Sequence, residues 1–418
     1  MVSSWLRSDD YIELLTLVVK TIYPRRVTHT TETGAAGFSL SSEQIAFVEH
    51  VRSIATQHLH PSAAQAEGRV NRTLLATMGE HGLLRSLFGG RADEPPRDAA
   101  AMQLCLLRET IAAVNAEAET ALALQGLGSY PILQSGSAET VDRWMPGIAA
   151  GTTVAAFALT EPDAGSDAAA LQLAAVPDGT GWRLSGEKIW ISNAPEADVY
   201  TVFARTGPDA GARGVTAFVV AGDAEGLSGE HLELLSPHPI GRLTFDGVRV
   251  EPHDVLGEVD AGFRVAMRTL DLFRPSVGAF ATGMARAALD ATIEHVTTRQ
   301  VYGGALVEQQ SVAHGLATMA TDLEAARLLV YAAASAYDAG ADRSTVSRTA
   351  AMAKLFATES AQTIIDQCVQ LHGARALERG HLLEHLYRDV RATRIYEGAS
   401  EVQRSIIARE ILKERKSR

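Results

Sequence analysis

Apolar residues recur every three or four positions along the first third of the 418-residue chain, which is the spacing of amphipathic helices. Ser41 or Ser42 can cap the first of these helices, and the segment 58–61 would end it. Further helices are predicted over 72–81, 98–124 and 138–148. Before them, the sequence predicts a short helix over 11–22 and a Thr- and Gly-rich linker over 28–37.

Between about residue 154 and residue 255 the pattern changes to short apolar runs that are rich in β-branched residues. Segments 199–205 and 215–220 are predicted strands. Segment 182–192 is predicted to form two strands joined near Gly186, and 243–250 a hairpin with an Asp-Gly turn. Short strands without helices between them predict an antiparallel sheet or barrel. No Gly-x-Gly-x-x-Gly motif follows any of these strands, which disfavours a dinucleotide-binding parallel sheet.

Helical spacing returns from Gly262, with predicted helices over 263–297, 307–340, 343–371, 378–393 and 401–415. Their lengths suit an antiparallel bundle. The predicted fold class is therefore α+β, with an N-terminal α-helical domain, a middle antiparallel, barrel-like β domain and a C-terminal α-helical bundle. The predicted boundaries are 1–38 for an N-terminal extension, 39–153 for the first helical domain, 154–261 for the β domain and 262–418 for a four-helix bundle.

The composition is that of an ordinary globular protein, with 46% hydrophobic and 21% charged residues. The net charge of −12 argues against a nucleic-acid-binding surface. Cys105 and Cys368 are the two cysteines, so neither a disulfide framework nor a cysteine-rich zinc site is available, and a reducing cytosol fits. The apolar stretch 14–22 carries Lys20 and is too short to span a bilayer. We therefore expect a cytoplasmic protein.

Two stretches of the β region suit a planar ligand that carries phosphates. An apolar strand leads to Thr160 and then to a glycine-containing loop, which presents Ser166 and several backbone N–H groups. Trp190 and Ser192 end another strand and offer an aromatic plane beside a hydroxyl. Taken singly, the same residues are typical of a strand that enters a turn and of a core tryptophan.

Near the C-terminus, Glu397 lies between Tyr396 and Gly398, just before a predicted helix. Ser400 and Gln403 have the spacing of a capping box at the start of that helix. A carboxylate at a glycine-relieved break between two helices can face a cavity. On its own, however, such a glutamate is typical of a solvated helix N-terminus.

These stretches, together with 270–275, 298–310 and 370–374, resemble in order the motifs of the acyl-CoA dehydrogenase family of flavoproteins. The resemblance covers about residue 39 to the C-terminus, and it implies FAD as the cofactor and an acyl-CoA thioester as the substrate. The residues that it places at FAD are Phe157, Leu159, Thr160, Ser166, Trp190, Ser192, Arg299, Tyr302, Gln310, Gln370, Leu371, Gly373, Ala374, Ala399 and Glu401. Those that it places at the substrate are Ser166, Asp271, Arg274, Tyr396 and Gly398.

The resemblance further implies that Glu397 is the catalytic base. It would remove the proton alpha to the thioester while a hydride leaves the beta carbon on the opposite face for the flavin, which gives a 2-enoyl thioester. Burial against the acyl chain is expected to raise the pKa of Glu397. The family also implies an electron-transferring flavoprotein as acceptor and a homo-oligomer, a dimer or homotetramer. In it, Arg299, Gln310, Gln370 and Gly373 would bind the ADP half of the neighbouring subunit's FAD.

Several alternatives stay open. The same fold serves flavin-dependent oxidases and monooxygenases, and the acyl group could be bound to an acyl-carrier protein in place of CoA. A non-catalytic scaffold is a third alternative, because Ala399 and Glu401 stand where the family often has Thr and Gln. Asp271 and Arg274 would by default form an ion pair on a solvated helix face. His372 is predicted to serve local packing or an FAD contact.

Overall fold

The computed structural model describes residues 39–60, 68–88, 99–207 and 211–416. The predicted helix over 11–22, the linker over 28–37 and the predicted loop over 89–96 lie outside these residues. Within the described part of the chain, the predicted order of a helical region, a β region and a second helical region is confirmed.

Four of the six described N-terminal helices begin after a Ser or Asn whose side chain accepts a free backbone N–H group of the first turn. Ser41 caps the first helix in a capping box with Gln44, and Ser137 caps the last. The helices are α1 (Ser42–Ile54, continued by a π-helical turn Ala55–Leu59), α2 (Arg72–Glu80), α3 (Leu83–Ser86), α4 (Ala101–Ala112), α5 (Ala116–Ser135) and α6 (Ala138–Ala149).

The prediction of one continuous helix over 98–124 was wrong. The chain leaves α4 after Ala112 and starts α5 at Ala116, because the side-chain oxygen of Asn115 accepts the N–H of Ala118 at 2.8 Å. An asparagine side chain that bonds nearby backbone groups favours a helix start over a helix interior. The break turns α5 back so that it packs against the first strand of the sheet and against the long helix of the C-terminal region.

The β region forms an eight-stranded sheet. Its strands are β1 (Ala155–Ala158), β2 (Ala174–Asp178), β3 (Gly181–Ser192), β4 (Val199–Arg205), β5 (Val215–Ala221), β6 (Leu227–His231), β7 (Ile240–Val250) and β8 (Val255–Leu256). They are arranged in the order β6-β7-β3-β2-β4-β5-β8, and β1 pairs with β4. Most neighbours are antiparallel, while β4 pairs in parallel with β1 and β2. β4 and β5 are buried along nearly their whole length and form the centre of the core.

Two predicted turns in this sheet were wrong, because β3 and β7 are each continuous. Ser185 pairs with Asp246 and Leu184 pairs with Val248, so Gly247 is an extra residue in β7 with no partner in β3. Its φ of +67° is a conformation that glycine adopts without steric cost. The Asp-Gly pair therefore forms a bulge within a strand instead of a hairpin turn.

The C-terminal helices match the predicted segments within one or two residues, except that α8 begins three residues later and α10 four residues later than predicted. They are α7 (Gly262–Thr298), α8 (Gln310–Asp338), α9 (Arg343–His372), α10 (Leu382–Thr393) and α11 (Ser400–Lys416). Two short strands, β9 (Gln300–Val301) and β10 (Gly304–Ala305), follow α7 and pair with each other. α7 packs on α8, α9 and α10 and also on α4 and α5, so it joins the bundle to the N-terminal helices. None of the described helices combines the length and apolarity needed to cross a bilayer.

Candidate active site

A cavity of about 1640 Å³ lies between the sheet, α5, α7 and the turn between α10 and α11. Pockets for a single small ligand usually measure about 300–1,000 Å³, so this cavity has room for two ligands side by side. The predicted site residues that line it are Phe157, Leu159, Thr160, Ser166, Trp190, Ser192, Asp271, Arg274, Tyr396, Glu397, Gly398 and Ala399.

Glu397 lies at the tip of the turn between α10 and α11, with φ of +51°, and Gly398 follows with φ of +95°. Three side chains hold the backbone of this turn by its carbonyl oxygens. Gln403 Nε2 donates to the carbonyl oxygens of Glu397 and Gly398, at 3.2 and 2.8 Å. Lys354 Nζ donates to the Gly398 carbonyl at 2.8 Å, and Arg274 Nε donates to the Glu397 carbonyl at 3.4 Å. Because the backbone is held in this way, the carboxylate itself remains free to act in the cavity.

The capping box predicted for α11 was wrong. Ser400 Oγ donates to Glu359 Oε1, and the Gln403 side chain bonds the carbonyls of the Glu397 turn. Gln403 is fully buried in this position. Both side chains therefore fix the turn against α9 and α11 instead of satisfying each other's N–H groups.

The charge environment of Glu397 is balanced between burial and three cations. Burial raises the pKa of this carboxyl, while Arg108, Lys354 and Arg274 oppose the rise. Its Oε2 atom is buried and has no hydrogen-bond partner among the described residues. A buried carboxylate oxygen without a hydrogen-bond donor costs free energy. Its presence here therefore indicates an atom that binds a ligand.

Asp271 and Arg274 form the predicted i,i+3 ion pair, with 3.2 Å between Arg274 Nη1 and Asp271 Oδ1. Both side chains are nearly buried and line the cavity, so the alternative of a solvated helix face was wrong. Ser347 Oγ on α9 lies 3.4 Å from the second oxygen of Asp271. Burial raises the pKa of Asp271, and Arg274 counteracts it.

On the sheet side, the loop that carries Thr160 is tied to β3 by a buried ion pair. Lys188 Nζ donates to Glu161 Oε1 at 2.7 Å and to the carbonyl of Leu159 at 2.9 Å, and the N–H of Ile189 donates to the carbonyl of Thr160 at 3.0 Å. This pair was not predicted from the sequence. The available signal was a lysine inside a strand, directly before the apolar residues Ile189 and Trp190.

Trp190 projects from a second irregularity of β3, where the register with β7 shifts between Lys188 and Ile191. It has φ of +60° and is 52% exposed, so the alternative of a core tryptophan was wrong. The Ser192 hydroxyl shares a hydrogen bond of 2.9 Å with His238 Nε2. An exposed indole beside hydroxyl groups fits the planar ring of a flavin, since the ring can stack on the indole and bond the hydroxyls.

The other residues predicted to bind FAD lie outside the cavity. Tyr302 is 99% exposed at the tip of the β9–β10 turn, and Glu401 is exposed on α11. The imidazole rings of His295 and His372 stack at 4.1 Å, which places the end of α7 beside the end of α9. This packing agrees with the prediction for His372. The remaining members of this outer group are Arg299, Gln310, Gln370, Leu371, Gly373 and Ala374.

A second buried ion pair, which lies in the cavity wall, was also not predicted from the sequence. Arg108 on α4 pairs with Glu119 on α5, and both residues line the cavity with Glu397. The available signal was the presence of charged residues inside an Ala- and Leu-rich helical run, but a charge in such a run usually lies on a solvated face.

Three profiles of the acyl-CoA dehydrogenase family match the chain: the N-terminal domain over 41–152, the middle domain over 156–248 and the C-terminal domain over 260–412. Cyclohexane-1-carbonyl-CoA dehydrogenase from Geobacter metallireducens is 37% identical over 387 residues, which cover 90% of this chain and 99% of that protein. The caffeyl-CoA reductase-Etf complex subunit CarC from Acetobacterium woodii is 35% identical, with 84% of this chain and 92% of that protein covered. The solved structure of PigA with FAD and proline superposes with a TM-score of 0.83 at 27% identity, and it covers 90% of this chain and 99% of that one.

Proposed function

Because the chain belongs to the acyl-CoA dehydrogenase family, we propose that it oxidises an acyl-CoA thioester to the 2-enoyl thioester with Glu397 as the base. The predicted family, the predicted class of oxidoreductase and the prediction of FAD as cofactor are confirmed by the relatives and the solved structure described above. The observation that carries the proposed mechanism is the buried Oε2 atom of Glu397, which has no hydrogen-bond partner among the described residues and belongs to a turn that lines a large cavity.

In the proposed reaction, Glu397 Oε2 takes the proton from the alpha carbon, and the electron pair of that C–H bond forms the new double bond. Bound FAD supplies the acceptor for the hydride that leaves the beta carbon. The N–H of Glu397 donates no hydrogen bond within the described residues, so it is available to the thioester carbonyl, where negative charge develops. Arg274 and Gln403 keep this N–H and the carboxylate in a constant relative position.

We propose that the two groups of predicted FAD residues serve two different FAD molecules. The cavity group, with Thr160, Trp190 and Ser192, would hold the flavin ring of the chain's own cofactor. The exposed outer group, with Arg299 and Gln310, would hold the ADP half of a neighbouring subunit's FAD. Its exposure supports this assignment, because these residues lie outside the cavity that Glu397 lines and are accessible to a second subunit.

We also propose a homo-oligomer, the predicted domain boundaries and an electron-transferring flavoprotein as electron acceptor. The relative from Acetobacterium woodii, which is a subunit of a complex with Etf, supports the acceptor.

The test is an anaerobic visible spectrum of the purified protein, titrated with a panel of acyl-CoAs. We expect a yellow protein that bleaches with at least one saturated acyl-CoA. Glu397→Gln should keep its flavin and bleach about 100- to 10,000-fold more slowly, since it cannot accept the proton. Glu225→Gln, an exposed residue outside the cavity lining, is the matched control and should bleach like the wild type.

The possible outcomes separate the alternatives. If Glu397→Gln bleaches at the wild-type rate, the base assignment is wrong. A yellow protein that ignores every acyl-CoA favours a carrier-protein thioester or oxygen chemistry. A colourless protein that cannot be reconstituted with FAD favours the non-catalytic scaffold.

A further inference from the structure

The Arg108–Glu119 pair places two buried charged side chains in the wall of the cavity. Arg108 is 3% exposed and Glu119 is fully buried. Arg108 Nε donates to Glu119 Oε1, and its Nη1 donates to Ser276 Oγ on α7 at 2.6 Å. The side chain also lies over the ring of Phe280, with its guanidinium carbon 5.9 Å from the ring centre. These contacts hold both headgroups in one orientation.

The pair is not satisfied by its own contacts. Glu119 Oε2 is buried and has no hydrogen-bond partner among the described residues. Arg108 Nη2 likewise makes no hydrogen bond in the described part of the chain. A pair that served only to join α4, α5 and α7 would be more stable with these atoms bonded, because unsatisfied buried polar groups cost free energy.

The two residues line the same cavity as the proposed base. The charges of both act on Tyr396 and Glu397 in the turn. An acyl chain whose alpha carbon is held at Glu397 would therefore extend through a cavity whose wall includes one residue with an unbonded donor and one with an unbonded acceptor.

We propose that Arg108 and Glu119 form a polar subsite that selects an acyl group carrying a hydroxyl. A hydroxyl can donate to Glu119 Oε2 and accept from Arg108 Nη2 at the same time. This inference rests on the proposed function, since it specifies the acyl group that the same cavity accepts.

The charges favour a neutral substituent over an acidic one. Glu119 already offsets the charge of Arg108, and Glu397 adds a second carboxylate to the cavity. At this part of the wall a substrate carboxylate would lie beside Glu119, whose charge already offsets that of Arg108, and like charges in a buried site are strongly unfavourable. An unsubstituted alkyl chain would leave Glu119 Oε2 and Arg108 Nη2 without partners.

The test compares saturated acyl-CoAs with their terminally hydroxylated analogues at each chain length, in the FAD-loaded protein. We measure kcat/KM from flavin bleaching and the dissociation constant by titration calorimetry. The wild type should prefer the hydroxylated member at one chain length by about 10- to 100-fold, the range expected for hydrogen bonds to charged groups. A dicarboxylic acyl-CoA of the same length should bind more weakly than either.

Glu119→Gln replaces the free acceptor with an amide, and it should reduce the preference for the hydroxylated compound toward unity. Glu225→Gln should retain the preference. If the wild type bleaches with saturated acyl-CoAs but shows no preference in either measurement, the subsite is refuted while the proposed function stands. If no acyl-CoA bleaches the flavin, the proposed function fails, and the dissociation constants still decide whether the subsite discriminates.

Discussion

The buried Lys188–Glu161 pair allows a quantitative test of how the site is held, through the substitution Lys188→Met. The side chains of Lys188 and Glu161 are 0% and 7% exposed, with 2.7 Å between Nζ and Oε1. Removal of the lysine leaves a buried carboxylate without its cation and the carbonyl of Leu159 without its donor. Breaking a buried pair in this way costs about 3–5 kcal/mol.

The lower end of this range is the expected value, because Glu161 keeps two backbone donors, the N–H groups of Gln172 and Leu173. A loss of about 3 kcal/mol corresponds to a fall of roughly 6–12 °C in the unfolding midpoint for a domain of ordinary size. The loop with Thr160 should also loosen, so the variant should retain less FAD per mole of purified protein. Thermal unfolding followed by circular dichroism and the flavin absorbance of the purified protein measure the two effects.

Two further variants make the result decisive. Arg264→Met removes the cation of an exposed pair, in which the Arg264 and Glu258 side chains are 63% and 82% exposed, and it should cost less than about 1 kcal/mol. Lys188→Met combined with Glu161→Gln should be more stable than Lys188→Met alone, because no buried charge remains unpaired. If Lys188→Met lowers the midpoint no more than Arg264→Met does, the reasoning from burial is refuted.

Two other predictions concern the Glu397 turn and the His238 contact. Gly398→Ala would place a Cβ 2.5 Å from Gln403 Nε2 at a φ of +95°, so we expect a cost of at least about 1–2 kcal/mol and slower bleaching by substrate. Gly340→Ala, with φ of +67° and no atom of the described residues within 4 Å of the added Cβ, should cost similar stability but leave bleaching unchanged. Burial lowers the pKa of His238 to about 4, so between pH 6.5 and 4 the unfolded chain binds more protons and stability should fall as the pH falls. His238→Gln should flatten this part of the stability profile, and an unchanged slope would show that His238 does not titrate there.

The helices and strands with strong local signals could be predicted from the sequence alone. The spacing of apolar residues predicted all five C-terminal helices, and the β-branched runs predicted β4 and β5. The residues for which we propose chemical roles were also identifiable, because Glu397, Trp190 and Arg274 stand in motifs that resemble those of a known family. In each case the information lies within a short segment of the chain.

The sequence could not decide the partners of polar side chains that are distant along the chain. Gly247 forms a bulge because β3 continues beside it, and Gln403 bonds the Glu397 turn because the turn folds back over α11. A local rule assigns such residues to the nearest turn or helix cap, which in both cases was wrong.

The sequence likewise could not predict which charged side chains form buried ion pairs. Lys188 lies 27 residues from Glu161, and Arg108 bonds Ser276 across 168 residues. A charged side chain in an apolar run is expected to face solvent unless a partner shares its burial, and the packing of α7 and the sheet supplies that partner. The sequence determined the secondary structure and the chemical groups, and the tertiary structure decided which of those groups meet in the cavity.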